Sequence, residues 1–173
     1  MPFTPYHFGP GLLVKGLAAR WFSWAAFVGT QVVIDCETLY YLVRNEYPVH
    51  RRLHTFVGAT IAGGATATLM IGARWLAERT LPRGLSAFGG PPLSVRAELT
   101  TAGLLAGGLV GGPSHALLDA FVYTDIRPLR PVAETNPFLG LIALEQLQTV
   151  CEIAGVAGFL LVAIWLYAAR RTA

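Results

Sequence analysis

Apolar residues run long enough to cross a bilayer in four stretches, residues 21–43, 50–77, 97–123 and 148–169, since a spanning helix needs about 20 mainly apolar positions. The pattern predicts an all-α, polytopic membrane protein, one integral membrane domain over residues 1–173 with about four transmembrane helices. Arg20 and Arg44 bound the first stretch, and Trp21, Trp24, Tyr40 and Tyr41 sit near its ends, where amphipathic rings favour the interface. Pro48 suits a first helical position, so the second helix is expected to open there and to close at Arg74–Arg79. The third carries Gly103, Gly107, Gly108, Gly111 and Gly112, a spacing that lets another helix backbone approach closely. Pro113 predicts a kink, and the Pro, Gly and Arg content of residues 79–95 and 124–137 predicts loops.

The polar residues that interrupt these stretches carry the chemical information, because an ionisable group in lipid is costly without a function. Asp35 and Glu37 fall late in the first helix, His50 and His54 at the start of the second, and His115 and Asp119 late in the third. Helices that alternate in direction bring these ends to one membrane face. Each of the pairs 50/54 and 115/119 is spaced four apart, so a helix would turn both members to one side. Asp35 lies about 12 Å inside the interface at the 1.5 Å helical rise. Asp125 joins the rim, and Glu145, Gln148 and Glu152 at the start of the fourth helix can line it.

Composition agrees with a membrane setting. Hydrophobic residues make up 54% of the 173, charged residues only 13%, and the mean hydropathy is +0.52. The net charge of +3 arises from twelve Arg and one Lys, mostly flanking apolar runs, which is membrane-flank chemistry and no nucleic-acid patch. No phosphate-binding glycine loop or zinc-finger spacing occurs. Cys36 and Cys151 lie in apolar runs without CxxC spacing. The first residues lack early positive charge and Lys15 interrupts the first apolar run, so a cleaved signal peptide is not expected.

Imidazole and carboxylate together suit zinc, with manganese or magnesium as alternatives. Three or four ligands can hold one ion, whereas His7, Asp35, His50, His54, His115, Asp119 and Asp125 together can hold two. A divalent ion lowers the pKa of its water toward about 7, which makes hydrolysis the expected reaction. Glu37 or Asp125 is the expected general base, and Arg51, Arg52 and Arg127 the expected anion binders. Glu37 and Asp35 are two residues apart, so on a helix only one of them can face the metal.

The segments Pro2–Gly11, Ile34–Glu37, His50–Thr55 and Ser114–Asp119, in this order, resemble the YdjM-type family of bacterial inner-membrane metal-dependent hydrolases. The resemblance implies a multi-pass protein of the inner membrane with a hydrolytic centre built from these His and Asp residues. His115–Asp119 is also similar to the HxxxD element of zinc-dependent phospholipase C and single-strand nuclease enzymes, which implies phosphoester substrates. Their second, HxxxE-type element is absent after Asp125.

The function expected is hydrolysis of a lipid or other amphiphilic ester, with membrane lipids as partners and no nucleic acid. The alternative is a non-catalytic accessory subunit of a larger membrane complex, its metal site structural or vestigial. A third reading, an ion or proton pathway, fits poorly because the polar groups gather in one half of the bilayer. Positive charge is denser opposite the site, counting Lys15, Arg20, Arg74, Arg79, Arg83, Arg96, Arg170 and Arg171. The site then faces outward with both termini inside. His7 conflicts with that arrangement. To be a ligand it needs residues 8–20 to enter the membrane as a short re-entrant or interfacial helix.

Overall fold

Hydroxyl side chains cap the starts of three helices in this chain. The computed structural model describes residues 5–80 and 98–171. They form α1 (Phe8–Ala18), α2 (Trp24–Val43), α3 (Phe56–Thr80), α4 (Thr101–Ala120) and α5 (Leu144–Arg171), with 3-10 turns at Pro5–His7 and Ala19–Trp21 and no strand among the described residues. Ser23, Thr55 and Thr100 each turn a hydroxyl oxygen onto the backbone N–H three residues on, at 3.2, 2.9 and 3.1 Å. Such caps satisfy N–H groups that have no helical partner.

The cap at Thr55 corrects one expectation. Residues 50–55 are not helical, and α3 opens at Phe56. Pro48 therefore lies in a loop, and His50 and His54 do not share a helical face. The loop is held instead by Glu37, whose carboxylate accepts hydrogen bonds from the backbone N–H groups of Arg51, Arg52 and Leu53 at 3.3, 3.1 and 2.9 Å. These groups would otherwise have formed the first turn of the longer helix. The loop expected over 79–95 lies outside the described residues from 81 onward, and residues 124–137 are irregular as expected.

Two packing groups make up the bundle, α2–α3–α4 and the pair α1–α5. In the first, α3 and α4 touch backbone to backbone. A Cβ on Gly63 would overlap the Gly108 carbonyl, and one on Gly112 would overlap that of Ala59. Gly107 and Gly111 face α2 instead, against Ser23 and Phe27. The glycine spacing thus serves two adjacent faces of α4. α4 continues through Pro113 as helix, and Gln31 Nε2 and Ser114 Oγ both donate to the nearby Gly111 carbonyl, at 3.1 and 3.0 Å.

α1 resolves the conflict over His7. This helix of 11 residues, about 16 Å long at the helical rise, runs parallel to α5, with Gly9 against Cys151 and Gly16 accepting a hydrogen bond from Trp165 Nε1 at 3.1 Å. At its far end Lys15 is buried. Its ammonium donates to the carbonyls of Ala19 and Phe22 at 2.8 and 2.9 Å and pairs with Glu98. Glu98 also accepts from Trp24 N at 2.7 Å, so one ion pair ties α1 to the starts of α2 and α4. Two expectations change as a result. Lys15, counted among the charges of the face opposite the site, is buried, and His7 lies at the opposite end of the bundle from the end of α5.

Polarity is inverted relative to a water-soluble bundle. Val150, Ile153, Val156, Phe159, Leu160 and Ile164 are exposed along α5, while Lys15, Thr30, Gln31, Asp35, Thr66, His115 and Asp119 are buried. Among the described residues, two helices, Phe56–Thr80 and Leu144–Ala169, are long and apolar enough to cross a membrane, with mean hydropathies of 1.5 and 2.1.

The Gly63–Gly108 contact leaves no room for a side chain. Gly63→Val should lower stability by at least about 1–3 kcal/mol through overpacking. Gly72 in the same helix has nothing within 4 Å of an added Cβ. Gly72→Ala should be neutral or stabilising by about 0.5–1 kcal/mol, and thermal unfolding of the two variants in detergent, followed by circular dichroism, checks both.

Candidate metal centre

Asp119 sits at the middle of the polar core, ringed by imidazoles from three directions. His115 lies one turn before it on α4, with Nε2 at 3.1 Å from Oδ2. His7, at the head of α1, brings Nε2 to 3.0 Å from Oδ1, and His54, ahead of α3, brings Nε2 to 3.6 Å from Oδ2. Asp35 on α2 places Oδ1 at 3.5 Å from His115 Nε2. The four rings follow one another in contact, His7 to His115, His115 to His54 and His54 to His50, with centroids 4.4, 5.2 and 4.7 Å apart. All six residues are at most 9% exposed. Water therefore cannot carry the charge of the carboxylates, and compensation has to come from the site itself.

The rings of His115, His54 and His50 are held from behind. Gln31 donates through Nε2 to the Gly111 carbonyl, which turns its Oε1 toward His115 Nδ1, 2.5 Å away. Since an amide oxygen only accepts, the proton of His115 is on Nδ1 and the lone pair of Nε2 points inward. His54 meets Glu37 through Nδ1 at 3.4 Å, and His50 meets Asp125 through Nδ1 at 2.8 Å. Each carboxylate fixes the same tautomer, leaving Nε2 as the nitrogen an ion would use. An outer acceptor on the remote nitrogen is the usual companion of a metal-bound histidine.

Protein groups alone leave this arrangement incomplete. His115 Nε2 is fully buried and makes no hydrogen bond, although two carboxylates stand within 3.5 Å. An inward lone pair facing carboxylate oxygens is an arrangement of acceptors against acceptors, which a cation relieves. Three sets of donors lie within 4.8 Å of one another: His7, His115 and Asp119; Asp35, His54 and His115; and His50, His54 and Asp119. These residues suit a divalent ion of borderline softness such as zinc.

The convergence of His50 and His54 comes from the loop, not from helical spacing. Asp125 takes the backbone N–H groups of Val49 and His50 on Oδ2, at 3.2 and 3.3 Å, as well as the His50 ring on Oδ1. Burial opposes ionisation of Asp125, yet the His50 hydrogen bonds outweigh it and hold the carboxyl below its usual range. Burial first, and neighbouring His54 second, push His50 below its ordinary value, so this imidazole is neutral near pH 7. Glu37 and Asp125 thus stand behind two of the imidazoles.

Two cavities flank the core. The larger, about 580 Å³, is lined by Thr38, Leu42, Tyr47, Pro48, Val49, His50, Tyr123, Thr124 and Asp125. The smaller, about 50 Å³, touches His7 and Asp119 and is closed by Leu147, Gln148 and Cys151 of α5. Of the fourth-helix residues expected near the site, Gln148 reaches it, whereas Glu145 and Glu152 are exposed. Arg51 donates to the Pro48 carbonyl at 2.8 Å and lies over the Tyr41 ring. Arg127 donates to the carbonyls of Thr124 and Ile126 at 2.7 and 2.9 Å, and Arg52 is exposed. Arg51 and Arg127 are thereby anchored to residues of the larger cavity's wall.

Gln31 was not singled out from the sequence, although an amide inside an apolar run was a readable signal. Its replacement tests the support. Gln31→Leu should weaken zinc binding by about 10–100-fold, as loss of such outer partners commonly does, with helix content unchanged. Competition against a chromophoric chelator measures the first and circular dichroism the second.

No protein-family model, no curated protein and no solved structure matches the chain, so the chemistry of this centre rests on its own geometry.

Proposed function

We propose that this chain is a membrane-embedded, metal-dependent hydrolase of the bacterial inner membrane that cleaves a lipid or other amphiphilic phosphoester or ester, with zinc as its metal. One observation carries the reading: buried imidazoles turn unprotonated nitrogens onto a buried carboxylate, each backed by its own acceptor. The inverted polarity of the bundle supports the membrane setting, with α2 and α4 as the two further spans.

When bound, a divalent ion supplies Lewis acidity and a water acidic enough to react near neutral pH. His7, His50, His54, His115 and Asp119 would hold it. Glu37, Asp125 and Gln31 orient three of those rings. Asp35 is the carboxylate beside the ligands whose oxygen faces the centre, and it serves as proton acceptor in place of Glu37 and Asp125, whose oxygens hold backbone N–H groups. The apolar wall of the larger cavity, from Leu42, Tyr47, Val49 and Tyr123, accommodates an acyl chain. Arg51 and Arg127 at its edge attract an anionic headgroup.

An accessory, non-catalytic role draws on the exposed apolar face of α5, which a partner helix could cover as well as lipid. An active monomer after gentle-detergent purification argues against it.

The protein should purify with zinc. Stripping it with a chelator should lower the melting temperature, and restoring zinc to about 100 times its dissociation constant should return about 2.7 kcal/mol. Hydrolysis of anionic phospholipid vesicles, followed by released phosphate or fatty acid, should vanish in His115→Ala, and the bound metal should fall with it. Metal-free protein whose melting is indifferent to zinc overturns the proposal.

A further inference from the structure

The donors around Asp119 outnumber what one ion takes. A zinc site commonly has four ligands, while here four imidazoles and two aspartates converge. They also sort in space. Asp119 turns Oδ1 to His7 and Oδ2 to His54 and His115, so its two oxygens address different sides of the core. His7 and Asp119 border the small cavity against α5, whereas His50 borders the large one. The rings follow in the order His7, His115, His54, His50, and Asp119 completes a donor set with the first pair and another with the last pair.

We propose that the centre holds two divalent ions bridged by the Asp119 carboxylate, one between His7 and His115 and the other between His50 and His54. Asp35 stands at the junction, grouped with one ring from each pair, His54 and His115. The buried, unbonded Nε2 of His115 is the independent sign that a cation belongs beside this ring, which shares one donor set with His7 and Asp119; the cavity of about 50 Å³ against His7 and Asp119 leaves little room there for anything larger than water. The ion on the His50 side faces the cavity of about 580 Å³ and is the one open to substrate and to exchange. This inference rests on the proposed metal dependence but adds to it, because a hydrolase with a single ion would satisfy that reading equally.

Metal analysis of the full-length protein in detergent, stripped and then reloaded with Zn²⁺, separates the cases. Two equivalents per chain are expected, with a zinc–zinc vector of about 3.5–4 Å in X-ray absorption. His7→Ala and His50→Ala should each retain one equivalent and lose that vector. Chelator stripping of the wild type should show a fast and a slow phase, and His50→Ala should lack the fast one. Asp119→Asn should lose the vector in any folded fraction; if it does not fold, the two histidine variants decide. Saturation at one equivalent overturns the two-ion centre and leaves the proposed hydrolase standing, whereas no bound zinc defeats both. Two equivalents retained in His50→Ala, or both lost in either histidine variant, overturn the division into separate subsites.

Discussion

A carboxylate cannot be left alone in an apolar interior, and the demand of Asp119 for partners organises this protein. Residues far apart in sequence, His7, His54 and His115, are brought within about 3–4 Å of it. None of these contacts is expected to be strong as an isolated pair, because desolvating two groups offsets much of their attraction. Their value is mutual. The outward nitrogens of His115, His54 and His50 are satisfied by Gln31, Glu37 and Asp125, and His7 rides on the start of α1. A polar core connected this way specifies one arrangement of helices where an all-apolar core would tolerate several.

Close helix packing gives that core its precision. Because α3 and α4 meet at Gly63 and Gly108 with no intervening side chains, the register of His115 and Asp119 against the loop ahead of α3 has little freedom. Phe56 N donates to the Pro128 carbonyl at 2.9 Å, so the irregular segment after α4 is stitched to the same place. The site is built from two loops and three helix segments, yet its loops are held by backbone hydrogen bonds to Glu37 and Asp125 rather than left to solvent.

Much of this was readable from the residues in order. Apolar run lengths located four of the helices, and their alternation correctly gathered Asp35, His54, His115 and Asp119 at one level. The spacing of His115 and Asp119 meant what it suggested, since both lie on α4. The same spacing at His50 and His54 misled, because Pro48 was read as a helix opener while the hydroxyl of Thr55 was the true cap; competing caps cannot be ranked without the tertiary partner, here Glu37. Lys15 was legible as an interruption of the first apolar run, but its partner was not. Only the fold reveals Glu98 waiting for it across more than eighty residues of chain. Whether Glu37 faced the centre or its support was likewise undecidable until the loop it binds was in place.

The division of the bundle into α2–α3–α4 and α1–α5 has a consequence for how the protein is made. α1 is synthesised before α2, α3 and α4, but its main packing partner is α5, which follows them. His7 therefore travels on an element whose docking surface does not exist until α5 has been produced, and until then the polar core lacks one of its four imidazoles. Assembly of the centre is in this sense a closing act: α1 waits for α5, and a molecule cut short before α5 would carry these histidines and aspartates without the wall that encloses them.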